Sequence, residues 1–101
     1  MNEYRLELLP KAKKYLKSIR KEKQLIMALQ KKIHAICVNP FNGEENKGDL
    51  LGTYSIDFKY QGSTYEIAYY IVDDTNTVII ILIGTRENFY EALKRYIRFS
   101  K

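Results

Sequence analysis

Chemistry in this chain is most readily placed on Arg86. It follows an unbroken apolar run, Val78-Ile79-Ile80-Ile81-Leu82-Ile83, by way of Gly84-Thr85. Six consecutive aliphatic residues, mostly β-branched, fit a strand covered on both faces and central in its sheet. A cation directly beyond the end of such a strand is held on a rigid support where the chain meets solvent. Two further stretches alternate with period two. Tyr54, Ile56, Phe58 and Tyr60 alternate with Ser55, Asp57 and Lys59, and Tyr65, Ile67, Tyr69 and Ile71 with Glu66, Ala68, Tyr70 and Val72. Side chains on a strand point to opposite faces in turn. One face is therefore apolar, and the other carries Ser55, Asp57, Lys59, Glu66, Ala68 and Tyr70. A polar, partly covered sheet face with an arginine at its rim is the natural place for a site.

The remaining elements must hold that sheet. Glu3 to Leu9 alternates partly and reads as a short first strand. Pro10 suits the first turn of a helix, where its missing N–H costs nothing. Ala12, Tyr15, Leu16 and Ile19 form one helical stripe, and Leu25, Ile26, Leu29, Ile33, Ile36 and Cys37 form a second. Asn39-Pro40 ends the second helix, because the residue before proline disfavours the α region. Residues 40–53 read as a loop. Gln61-Gly62-Ser63 and Asp73-Asp74-Thr75-Asn76 are turns between strands. The last helix starts near Asn88, which with Glu91 resembles a capping box, and its stripe is Phe89, Leu93, Tyr96 and Ile97. The order is β-α-α-β-β-β-α. This is an α+β, two-layer fold with an antiparallel sheet, made of a short N-terminal strand and a three-strand meander. A helical hairpin packs on one face, and a helix closes the chain.

At 101 residues the chain is read as one domain, residues 1–101. No apolar run approaches the roughly 18 residues of a membrane span, so no membrane partner is expected. A lone cysteine, Cys37, rules out an internal disulfide and agrees with a reducing cytoplasm. The formal charge of +5 is unevenly placed. Residues 1–34 carry ten Lys/Arg against three acids, whereas residues 35–101 carry seven against nine. A basic first third points to a polyanionic partner, nucleic acid or an acidic protein segment; the alternative is a solvated lysine face. There is no Gly-Lys-Ser/Thr phosphate loop, no Cys/His cluster for zinc and no Gly-x-Ser-x-Gly elbow. Neither a metal nor a cofactor is expected.

Several short marks, in order and suitably spaced, resemble the RelE/ParE superfamily of bacterial type II toxins. They are Asn46-Lys47, Leu51-Gly52-Thr53-Tyr54, Gly62, Tyr65-Glu66-Ile67-Ala68-Tyr69 and Gly84-Thr85-Arg86-Glu87-Asn88-Phe89-Tyr90. The resemblance spans nearly the whole chain. It implies a small cytoplasmic toxin paired with a cognate antitoxin, in a hetero-oligomer. RelE-like members are ribosome-dependent mRNA interferases that cut mRNA without a metal. ParE-like members share the fold but poison DNA gyrase.

Carried over by position, Arg86 matches the phosphate-binding arginine and Tyr90 the tyrosine that follows it. The chain also departs from the pattern. Ser55 and Asp57 stand where the open face often offers lysines, and Glu66 stands where the strand usually has arginine. In the enzymatic reading Glu66 is the base, Arg86 steadies the phosphate, and Tyr90 stacks on a base or donates a proton. Lys47, Lys59, Lys13 and Lys17 would then meet RNA. In the alternative, Glu66 and Arg86 form a cross-strand ion pair and Tyr90 covers the sheet edge.

Overall fold

The computed structural model describes residues 3–99, the last of them by its backbone alone. The chain forms β1 (Arg5–Leu8), α1 (Pro10–Ser18), α2 (Lys23–Val38), β2 (Glu44–Glu45), β3 (Thr53–Tyr60), β4 (Ser63–Val72), β5 (Thr77–Thr85) and α3 (Phe89–Phe99). The strands lie in one sheet in the order β1-β5-β4-β3-β2. β3, β4 and β5 are the expected antiparallel meander. Gln61 and Gly62 both take positive φ, 48° and 82°, as a tight primed hairpin turn requires.

Two features of the sheet differ from the expectation. β1 runs parallel to β5, pairing Arg5 with Thr77 through Leu8 with Ile80, so the sheet is mixed. Strand direction depends on the path of the chain through the helical hairpin, and nothing in four alternating residues records it. The loop after α2 also contributes a strand, β2, which sets Glu44 opposite Ser55 and Glu45 opposite Tyr54. Two consecutive glutamates carry no alternation by which a strand could be recognised.

Helices α1 and α2 bury one face of the sheet. Ala12, Ile19, Leu25, Leu29, Ile33, Ile36 and Cys37 pack with Ile67, Tyr69, Val78, Ile80 and Ile83. The opposite face is less open than its polar residues suggested. Helix α3 lies on it, and Phe89 and Leu93 pack with Leu50, Ala68 and Ile81. On this face Asp57 and Lys59 stay exposed. Among the described residues no helix is long and apolar enough to cross a membrane.

One irregularity decides where the chemistry lies. Tyr69 pairs with Ile80 but Ala68 pairs with Leu82, so Ile81 is an extra residue on β5. Up to Ile80 the even-numbered side chains of β5 face the helical hairpin, as Val78 and Ile80 do; beyond the bulge the odd-numbered Ile83 does. An inserted residue reverses the faces of everything that follows. Leu82 and Gly84 thereby share a face with Ala68 and Glu66, and Arg86 continues the series. An unbulged β5 would aim Arg86 at the helical hairpin instead.

Candidate functional site

Asp57 and Glu66 are direct partners in the β3–β4 register. Like charges placed so oppose pairing. Arg86 resolves the conflict. Its backbone N–H bonds the Thr64 carbonyl at 2.8 Å, which extends the β5 ladder by one residue and fixes the side chain above both acids. Arg86 Nε donates to Glu66 Oε2 at 2.8 Å, and Nη2 donates to Asp57 Oδ2. Tyr90, in the first turn of α3, donates its hydroxyl to Glu66 Oε1 at 3.1 Å. Both oxygens of Glu66, a residue only 2% exposed, are thus satisfied.

The turn from β5 into α3 delivers Tyr90. Phe89 N–H bonds the Arg86 carbonyl at 3.1 Å, and Asn88 takes a left-handed conformation with φ of 59°. Asn88 is therefore not the extended N-cap expected of it, although its carbonyl accepts the Ala92 N–H at 3.0 Å. A tight reversal after Arg86 needs a residue that tolerates positive φ, and asparagine does so better than most. Phe89 meets the Tyr90 ring edge-on, with centroids 5.3 Å apart.

These side chains line a shallow pocket of about 290 Å³ with Asn42, Gly43, Glu44, Ser55 and Ile56. Its far wall is braced by Asn46, whose amide donates to Thr53 Oγ1 at 3.0 Å and Ser55 Oγ at 2.8 Å. Thr53 in turn donates to the Leu50 carbonyl at 2.7 Å. Gly43 is needed in this wall, because a Cβ there would stand 2.0 Å from the Tyr69 hydroxyl oxygen. That hydroxyl donates to the Pro40 carbonyl at 2.7 Å.

The electrostatics follow from these contacts. The hydrogen bond and charge of Glu66 push the Arg86 pKa up, with a smaller contribution from Asp57, so the guanidinium is permanently cationic. Burial raises the Tyr90 hydroxyl; the Ser55 hydroxyl pulls it back and Glu66 pushes it further up. Tyr90 therefore keeps its proton at neutral pH. The cluster offers a fixed carboxylate, a fixed cation and a protonated phenol in one concavity.

Glu66, Arg86 and Tyr90 are therefore brought together in hydrogen-bonding contact. The four lysines singled out in the sequence are not brought to them. Lys13 and Lys17 are exposed on α1, Lys47 is exposed ahead of the short turn at Gly48–Leu50, and Lys59 is exposed near the end of β3. None of them lines the pocket. Asn42, Gly43 and Glu44 line it without having been recognised, because their place depends on β2. Among the described residues no three His, Cys, Asp or Glu side chains are grouped to hold a metal ion. His34 is exposed on α2, 3.4 Å from Glu3 and away from the pocket.

Comparison with known proteins agrees with this fold. The free Escherichia coli toxin RelE, in a double-arginine mutant, superposes with a TM-score of 0.70 at 22% identity, covering 97% of this chain and 99% of that one. The RelBE2 toxin–antitoxin complex of Mycobacterium tuberculosis gives 0.69 at 23% identity over 85% of this chain and 94% of that one. The isolated Escherichia coli RelE toxin gives 0.62 at 26% identity, over 91% and 97%. No curated protein matches the sequence at a significant level. Residues 6–94 match the family described as the ParE-like toxin of type II bacterial toxin-antitoxin systems. Because that match spans nearly all of the sheet and its helices, the chain belongs to the ParE-like toxins of type II bacterial toxin–antitoxin systems.

Proposed function

We propose that this toxin is an endoribonuclease that cleaves mRNA on the ribosome, without a metal, from the pocket of Glu66, Arg86 and Tyr90. One observation carries the reading: a carboxylate, a guanidinium and a phenol meet at a single concave point on a rigid sheet. Cleavage by an internal ribose needs those three functions. The Glu66 carboxylate takes the proton of the 2′-hydroxyl as its oxygen attacks the adjacent phosphorus. Arg86 meets the negative charge that grows on the phosphorane oxygens. Tyr90 gives its proton to the departing 5′-oxygen, and the RNA is left with a cyclic phosphate and a free 5′-hydroxyl. The Tyr90 hydroxyl already bonds Glu66, so entry of the ribose must part them. Their separation of 3.1 Å is long for an O–H donor.

The test is cleavage of ribosome-bound mRNA by Arg86→Ala and Glu66→Gln, with folding followed in parallel. Removing a preorganised cation should lower the rate about a hundredfold or more. Glu66→Gln keeps shape but loses the base, and should lower the rate without unfolding the chain. Full toxicity with intact transcripts in both folded variants would exclude the nuclease reading.

A second reading has its own support. Glu44, Asp57 and Glu66 all line the pocket against a single cation, Arg86. An acid excess repels phosphate. Under this reading the toxin poisons by binding alone, with DNA gyrase as the target. It requires supercoiling to fail before translation after induction.

A further inference from the structure

Two carboxylates hold Arg86, and they differ in one respect. The Glu66 side chain is 3% exposed and the Asp57 side chain 52%. Resting on the proposal that this pocket receives an RNA phosphate, we infer that Asp57 is a displaceable cap on Arg86. Its carboxylate takes one N–H of Nη2 and sets a negative charge beside the edge that an incoming phosphate needs, and the pocket binds the anion tightly only when Asp57 swings aside.

The geometry of the guanidinium carries the argument. Glu66 takes Nε, the donor nearest the Arg86 backbone along the side chain, and Asp57 takes Nη2, at the side chain's end. A phosphate binds arginine through paired donors. With Nε committed to Glu66, the available pair is Nη1 and Nη2. Among the described residues Nη1 has no hydrogen-bond partner, and Nη2 is held by Asp57 alone. A phosphate on that edge would share Nη2 with a carboxylate and be repelled by it.

The two acids cannot exchange roles. If Arg86 left Glu66, a buried carboxylate would lose its compensating charge, which is costly. An exposed ion pair such as Asp57–Arg86 is weakly held. Asp57 has no other hydrogen bond or ion pair among the described residues. Its departure also relieves the repulsion between Asp57 and Glu66 across the register. One carboxylate positions the arginine; the other closes it.

The test is anion binding by the full chain, with inorganic phosphate as the probe at fixed ionic strength and the Arg86 Nε–H resonance as the signal. Asp57→Asn should bind phosphate about tenfold more tightly than the unmodified protein, because a neutral amide competes poorly for the guanidinium. Asp57→Ser, too short to reach Arg86, should do the same, which guards against a folding defect peculiar to one variant. Glu44→Gln removes a charge from the same pocket without touching Arg86, and should produce a clearly smaller gain. Equal gains from Glu44→Gln and Asp57→Asn would reduce the effect to general charge and overturn the cap. So would unchanged affinity in Asp57→Asn and Asp57→Ser, or no phosphate binding to any of these proteins. Tighter phosphate binding in both Asp57 variants, with no mRNA cleavage by any form, would keep the cap and remove the nuclease reading.

Discussion

Tyr69 shows how a single buried side chain ties the pocket wall to the core. It is fully buried, stacks on Tyr54 with centroids 5.8 Å apart, and reaches through the core to the Pro40 carbonyl. Burial pushes its hydroxyl up to about 12, with the Gly43 backbone pulling the other way and Tyr54 adding a little. An unfolded tyrosine ionises near pH ~10. The folded state therefore holds the proton more tightly than the unfolded state. The stabilisation linked to Tyr69 is complete below about pH 10 and is lost as the pH rises through the folded value. Alkaline titration should show the Tyr69 phenolate signal appearing only with cooperative unfolding. Tyr69→Phe should be less stable at neutral pH by about 1 kcal/mol, through loss of the Pro40 bond. Its stability should also fall less steeply above pH ~10. An equally steep alkaline loss in Tyr69→Phe would assign the effect to other tyrosines.

At the scale of elements, the strands with strong alternation and the helices with clear stripes were legible in the sequence. Those patterns are local consequences of burying one face. What was hidden depends on pairing. The bulge at Ile81 lies inside a uniform aliphatic run, where no alternation exists to show a change of face. The strand β2 is two glutamates long, and the parallel setting of β1 reflects the chain path. A cross-strand pairing of Glu66 and Arg86 was one of the two readings the sequence offered; that Asp57 shares the arginine needed the register. Gly43 illustrates the same limit, because its requirement comes from Tyr69, 26 positions later in the sequence. A Cβ at Gly43 would also lie 3.1 Å from the Ser55 carbonyl oxygen. Gly43→Ala should therefore cost about 1–3 kcal/mol, the range for overpacking a filled site. In Tyr69→Phe the hydroxyl that clashes is gone, so the same glycine change should cost measurably less there. A double-mutant cycle from urea melts measures this coupling, and strict additivity would show that β2 moves aside instead.

The whole molecule separates its charge. The acid-rich pocket sits on one side of the sheet, whereas residues 1–34 carry a net charge of +7. Two shallow grooves gather part of that charge and share Lys11. One, of about 300 Å³, runs between α1 and β5 and is lined by Lys11, Lys14, Tyr15, Ser18, Leu82 and Ile83. The other, of about 260 Å³, lies between α1 and α3 and is lined by Lys11, Ala92, Arg95 and Tyr96. The Lys11 ammonium stands 5.3 Å from the centre of the Tyr96 ring, which holds the cation over the junction of the two. Among the described residues no acid lines either groove. A toxin of this family is neutralised by a protein partner, and a segment with acids spaced along an apolar face would suit these grooves. Rim charges act mainly on the rate of association and are screened over about 8 Å at physiological salt. Raising salt should therefore weaken the antitoxin complex mainly by slowing its formation. Lys11→Ala with Lys14→Ala should slow association about tenfold at low salt and flatten its salt dependence, leaving dissociation nearly unchanged. Stopped-flow mixing of toxin and antitoxin across a salt series measures both rates. An association rate indifferent to salt in the unmodified protein would mean that the basic first third is only a solvated face.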